Sequence, residues 1–217
     1  MRRLIYFSVL LILFQNIDAQ NKLDLSSAVY SLSNYLISNE FNSLSKNKTD
    51  LEKIDLLYLK SLQINDNDYS EALLTLTFAT LPFNKIKLHI PIFGIKINIP
   101  LPSTNDSLFR AKLKQTPRQL FFDSPKNKSG DIDKIAHFFG NAFLSYNVSW
   151  IHLSEFLGLL VESFESEFKI AGSFDKRDLF VNKLGSAFGI ALKKNSKLLP
   201  SQFFEIYNLL FINTNFY

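Results

Sequence analysis

The sequence predicts a mainly α-helical protein: a small C-terminal helical bundle preceded by N-terminal helices and one β-hairpin. Three observations carry that prediction. Apolar residues recur every three or four positions from Leu25 through Val29, Leu32 and Leu36 to Phe41, and similar spacing returns after residue 130. Six of the seven prolines fall between Pro82 and Pro125 and none lies in 126–199, so the middle of the chain is expected to be irregular or extended and the later part free to be helical. A clean two-residue alternation marks Lys85 to Pro102.

Taken in order, Arg2 and Arg3, the apolar run from Leu4 to Phe14 and the stretch ending Ile17-Asp18-Ala19 read as an export signal cleaved after Ala19, with an uncleaved anchor as the alternative. The run is shorter than the roughly 20 residues of a spanning helix, which favours cleavage. One amphipathic helix is expected from Leu25 to Phe41, ended by the polar run Lys46 to Asp50, and a second from Leu51 to about Leu62. Ser70 to Leu81 stays open, because Ser70-Glu71 suggests a helix start while Leu74, Leu76 and Phe78 alternate with Thr75 and Thr77 as in a strand. In the hairpin, Ile86, Leu88 and Ile90 precede a turn near Pro91 to Gly94, and Ile95, Ile97 and Ile99 follow it. That greasy face either covers part of the core or serves as a lipid- or partner-binding flap, since a lone hairpin is marginal without something to pack on.

Three helices are then expected, at Asp131 to Tyr146, Ile151 to Phe168 and Asp175 to Lys193, with a fourth from Ser201 to Ile212 docking on them. Short connections make consecutive helices alternate in direction, so the first and third of the three run parallel. The resulting division is a signal peptide over 1–19, an N-terminal helical region with the hairpin over 20–125, and a helical bundle over 126–217.

The formal charge of +4 falls to +3 once Arg2, Arg3 and Asp18 are removed, and the remaining lysines are scattered, which excludes the basic footprint of nucleic-acid binding. An exported chain without Cys has no disulfide, no thiolate metal site and no lipidated cysteine, so its stability must come from burial, for which 22 Phe are available. Sequons at Asn47, Asn105, Asn127 and Asn147 would be glycan acceptors in a eukaryotic host, while chance matches are expected in so Asn-rich a chain.

Residues three, four and seven apart share a helical face, so Asp133, His137, Gly140 and Leu144 form one stripe and Asp178, Asn182, Gly185 and Gly189 another. Each stripe ends in glycine, helices meeting through these glycines approach closely, with Gly185 and Gly189 at the spacing of a packing seam, and parallel neighbours bring Asp133, His137, Asp178 and Asn182 to one end of the bundle, where Glu162 of the middle helix also arrives. Three readings stand open. The acids of the first turns, Asp131, Asp133, Asp175 and Asp178, are placed to cap free N–H groups. The group is equally placed to form a buried structural network. It also has the composition of a chemical site, in which a carboxylate-oriented imidazole acts as general base or joins the acids around a divalent metal. Glu162 points away from the apolar stripe of its own helix and has solvent as its alternative. Phe138, Phe139, Phe143 and Trp150 are expected in the core or an interface.

The run Asp133-Lys134-Ile135-Ala136-His137-Phe138, the acidic helix around Glu162, and Asp178-Leu179-x-x-Asn182-x-x-Gly185-x-x-x-Gly189 resemble the VanZ-like family and its related small exported lipoprotein family over residues 131–192. The resemblance implies a helical envelope protein with no established activity, in a family sometimes linked to glycopeptide tolerance. The expectation is an exported bacterial envelope protein that binds or scaffolds at the periplasmic membrane surface. The alternative is a hydrolase or transferase on envelope lipids or glycans, with His137 as base or metal ligand, Asp133 orienting it and Asp178 and Glu162 as further ligands. A third option is an intramembrane bundle with buried ionisable groups.

Overall fold

The computed structural model describes residues 24–90, 95–148 and 176–212. The expected signal peptide, the expected hairpin turn at 91–94, Trp150, the helix expected over 151–168 and with it Glu162 lie outside the described residues. The described chain is mainly helical. Its helices are α1 (Leu25–Leu36), α2 (Asn39–Ser45), α3 (Asp50–Ile64), α4 (Tyr69–Thr80), α5 (Asp106–Gln115), α6 (Ile132–Asn147), α7 (Lys176–Leu192) and α8 (Pro200–Ile212). Strands β1 (Lys85–Ile90) and β2 (Ile95–Pro100) pair antiparallel between α4 and α5.

The single helix expected from Leu25 to Phe41 is two. Ser38 is extended and its hydroxyl accepts a hydrogen bond from Phe41 N at 3.1 Å, so a new helix starts there although the apolar spacing runs on. Helix α3 opens with a capping box in which Glu52 N donates to the Thr49 hydroxyl at 3.2 Å and Thr49 N to the Glu52 carboxylate at 2.8 Å. The ambiguous stretch after Ser70 is helical. Asp68 caps it, Ala72, Leu73, Leu76 and Ala79 form a buried stripe, and the hydroxyl of Thr77, part of the apparent alternation, bonds back to the Leu73 carbonyl at 2.8 Å, as that of Thr80 does to Leu76. The proline-rich middle is not wholly irregular, because Asn105 caps α5 through Leu108 N at 2.9 Å.

One hydrophobic cluster draws on both halves of the chain, from Val29 and Leu32 of α1 through Ile54, Leu57 and Tyr58 of α3 and Leu73 of α4 to Phe138, Phe188 and Phe204. Phe138 is its hub. Its ring lies 4.4 Å from that of Phe204 and 5.4 Å from that of Phe188, and Phe188 meets Tyr58 edge-on at 5.6 Å. Helix α6 packs between α4 and α7, with Phe138 facing the core and the preceding residue, His137, carried to its edge.

Candidate functional site, a polar cluster between two parallel helices

Helices α6 and α7 touch backbone to backbone. Gly185 lies against the Phe138 carbonyl and Gly189 against the Ala142 carbonyl and the Ser145 hydroxyl, and a Cβ at either glycine would come well inside 3.0 Å of those atoms. The two contacts advance in the same direction along both chains, so the helices run parallel. Gly140 has no part in this seam; it faces Thr77 of α4 instead, where an added Cβ would make an ordinary 3.4 Å contact.

One turn before the seam the polar residues meet. Single ligand atoms of Asp133, His137 and Asp178 lie within 4.8 Å of one another. Between the two acids sits the ammonium of Lys134, 2.8 Å from Asp133 and 2.5 Å from Asp178, on a residue only 4 % exposed. Burial alone would push the Lys134 pKa down, but Asp133 and Asp178 more than offset it and the net shift is upward. Sequence reasoning gave Lys134 no role, yet it is the cation that joins the two helices. The signal was present: Lys134, Phe138, Asn141 and Ser145 share a stripe, and all four are buried.

The amide pair Asn141 and Asn182 fixes the imidazole. Asn141 Nδ2 lies 2.8 Å from the His137 carbonyl, which can only accept, so the group presented there is the amide NH₂. That NH₂ also lies 2.9 Å from Asn182, which must answer with its oxygen. The same oxygen is 3.1 Å from His137 Nδ1. Nδ1 is therefore the protonated nitrogen of the neutral ring, and Nε2 carries the lone pair. Burial holds the His137 pKa below the ordinary histidine value despite the pull of Asp178 and Asp133.

The cap expected of Asp131 is not made, and Asp175 lies outside the described residues. Asp131, fully buried, makes no cap bond with its side chain; it accepts from the Ser124 hydroxyl and pairs with Arg177 at 2.9 Å. Arg177 also lies 3.9 Å from Asp123, whose carboxylate accepts from Tyr207 Oη at 3.0 Å. A chain of charges thus ties the 116–131 loop, α7 and α8 together beside the first cluster. Asp131 is pushed upward in pKa by burial, with Ser124 and Arg177 opposing.

Of the sequence-predicted site residues, Asp133, His137, Asp178 and Asn182 converge, whereas Glu162 lies outside the described residues. No family model, no curated protein and no solved structure matches the chain. Among the described residues, no helix is long and apolar enough to cross a membrane.

Proposed function

We propose that this chain is an exported protein of the bacterial envelope that works as a binding or scaffolding module at the membrane surface, touching it through the hairpin. The register of the hairpin carries this reading. Ile86 pairs with Ile99, Leu88 with Ile97 and Ile90 with Ile95, while Lys87 pairs with Asn98 and His89 with Lys96. Alternate strand positions share a face, so six aliphatic residues occupy one face and the cations the other. The residues joining the strands are Pro91, Ile92, Phe93 and Gly94, and no acid occurs from Leu81 to Asn105. Among the described elements each strand's extensive contacts are with the other strand. A ribbon with an aliphatic face, lysines and no acid in its own sequence suits an anionic lipid surface, where each lysine contributes about 1 kcal/mol and the aliphatic groups enter the headgroup boundary. The resemblance of residues 131–192 to envelope proteins supports the same setting.

Sedimentation with vesicles tests it. The mature chain is expected to pellet with phosphatidylglycerol vesicles, weakly with phosphatidylcholine, and to be released by Ile97→Asp or by Lys87→Glu with Lys96→Glu. Equal recovery in the supernatant with both lipids would remove the proposal. A metal- or His-dependent hydrolase or transferase on envelope lipids or glycans is the second reading, favoured by the nearness of the His137 imidazole to two carboxylates.

A further inference from the structure

We propose that Asp133, His137 and Asp178 form a binding site for one divalent zinc ion, with Lys134 as the resident cation that yields to it. The inference is independent of the hairpin's role. Two hard oxygen donors and one imidazole nitrogen make a ligand set for a borderline first-row ion, and three protein ligands leave a fourth tetrahedral position for water. Metal-bound histidines are held by a hydrogen bond from their other ring nitrogen, and here Nδ1 donates to Asn182, itself fixed by Asn141 and the His137 carbonyl. The ring is thereby set in the tautomer that offers Nε2.

The acids show the same preparation. Lys134 contacts both carboxylates, which shows that their oxygens already point into a common space that accepts positive charge. One ammonium stands there against two carboxylates, and a doubly charged ion would match them better. Donors of a tetrahedral zinc site stand about 3.3 Å apart, whereas these lie within 4.8 Å. Withdrawal of the Lys134 ammonium along its four-carbon stem allows the carboxylates to close that difference by side-chain rotation. Asp133, whose side chain is 27 % exposed, gives the ion an entry from solvent.

Calorimetric titration of the full mature chain with zinc chloride is the test. One ion per chain is expected, with affinity reduced at least tenfold by His137→Gln and by Asp178→Asn. Lys134→Met is expected to gain more melting temperature from zinc than the wild type does, because the ion replaces the lost charge. Should the site variants fail to fold, the wild-type chain suffices: zinc must shift the ¹⁵N resonance of His137 Nε2 while Nδ1 keeps its proton. Absence of stoichiometric binding, affinity unchanged in folded His137→Gln, or an unmoved Nε2 resonance would each overturn the site.

Discussion

Gly185→Ala is the sharpest test of the helix seam, because the neighbour of the new methyl group is backbone. The added Cβ would overlap the Phe138 carbonyl, an atom fixed within α6 that no rotamer change can move. Helices α6 and α7 would have to separate by about an ångström, and overpacking of this kind costs about 1–3 kcal/mol or more. Replacing a helical glycine by alanine returns about 1 kcal/mol of propensity. Gly140→Ala collects the same propensity against only a 3.4 Å contact with the Thr77 methyl group. The propensity gain cancels between the two variants, so their difference isolates the seam: Gly185→Ala is expected to be less stable than Gly140→Ala by about 1–3 kcal/mol in urea unfolding. The separation would also stretch the 3.1 Å contact between His137 and Asn182, visible as a changed His137 titration by NMR. Equal stability of the two alanine variants would refute close backbone contact between these helices.

Two lysines give opposite pH behaviour. Lys112 is 1 % exposed, its ammonium donates to the Ala79 carbonyl at 2.5 Å, and burial pushes its pKa down to about 8. Between about 8 and the unfolded value near 10.4 the unfolded chain holds more protons, so wild-type stability should rise with pH relative to Lys112→Met by about 3 kcal/mol across that window; a pH-independent gap would show the ammonium to be solvated. Lys134→Met instead leaves two carboxylates facing each other, at a cost of about 3–5 kcal/mol at pH 7. Because the Lys134 pKa is raised, by Asp133 and Asp178 against the opposing effect of burial, its contribution is complete below about 10.4 and fades only as pH rises through the folded value. Paired denaturation curves from pH 6 to 10 should show a constant deficit, and a deficit under about 1 kcal/mol would place this pair among surface ion pairs.

Local pattern sufficed wherever one residue determines its own surroundings. Period in the apolar residues marked α1, α3 and α6, and the spacing of Asp178, Asn182, Gly185 and Gly189 marked the face of α7 that meets α6. Ser38 shows the limit, since a hydroxyl that captures Phe41 N ends one helix and starts another without disturbing hydrophobic spacing. Thr77, which alternates with apolar residues in the sequence but bonds back to Leu73 along α4, hid a helix in the same way.

Which atoms share a site was a matter of packing. The sequence by itself determined that acids, an imidazole, an amide and two glycines lie on helical faces, because periodicity is a property of one backbone. Only the tertiary structure decided that Lys134 stands between Asp133 and Asp178, that Asn141 and Asn182 select the tautomer of His137, and that Gly140 turns to α4 instead of α7. Those outcomes depend on the depth at which two helices interlock, and that depth is set by the removal of two Cβ atoms and by the aromatic hub at Phe138, neither of which acts until the chain has folded.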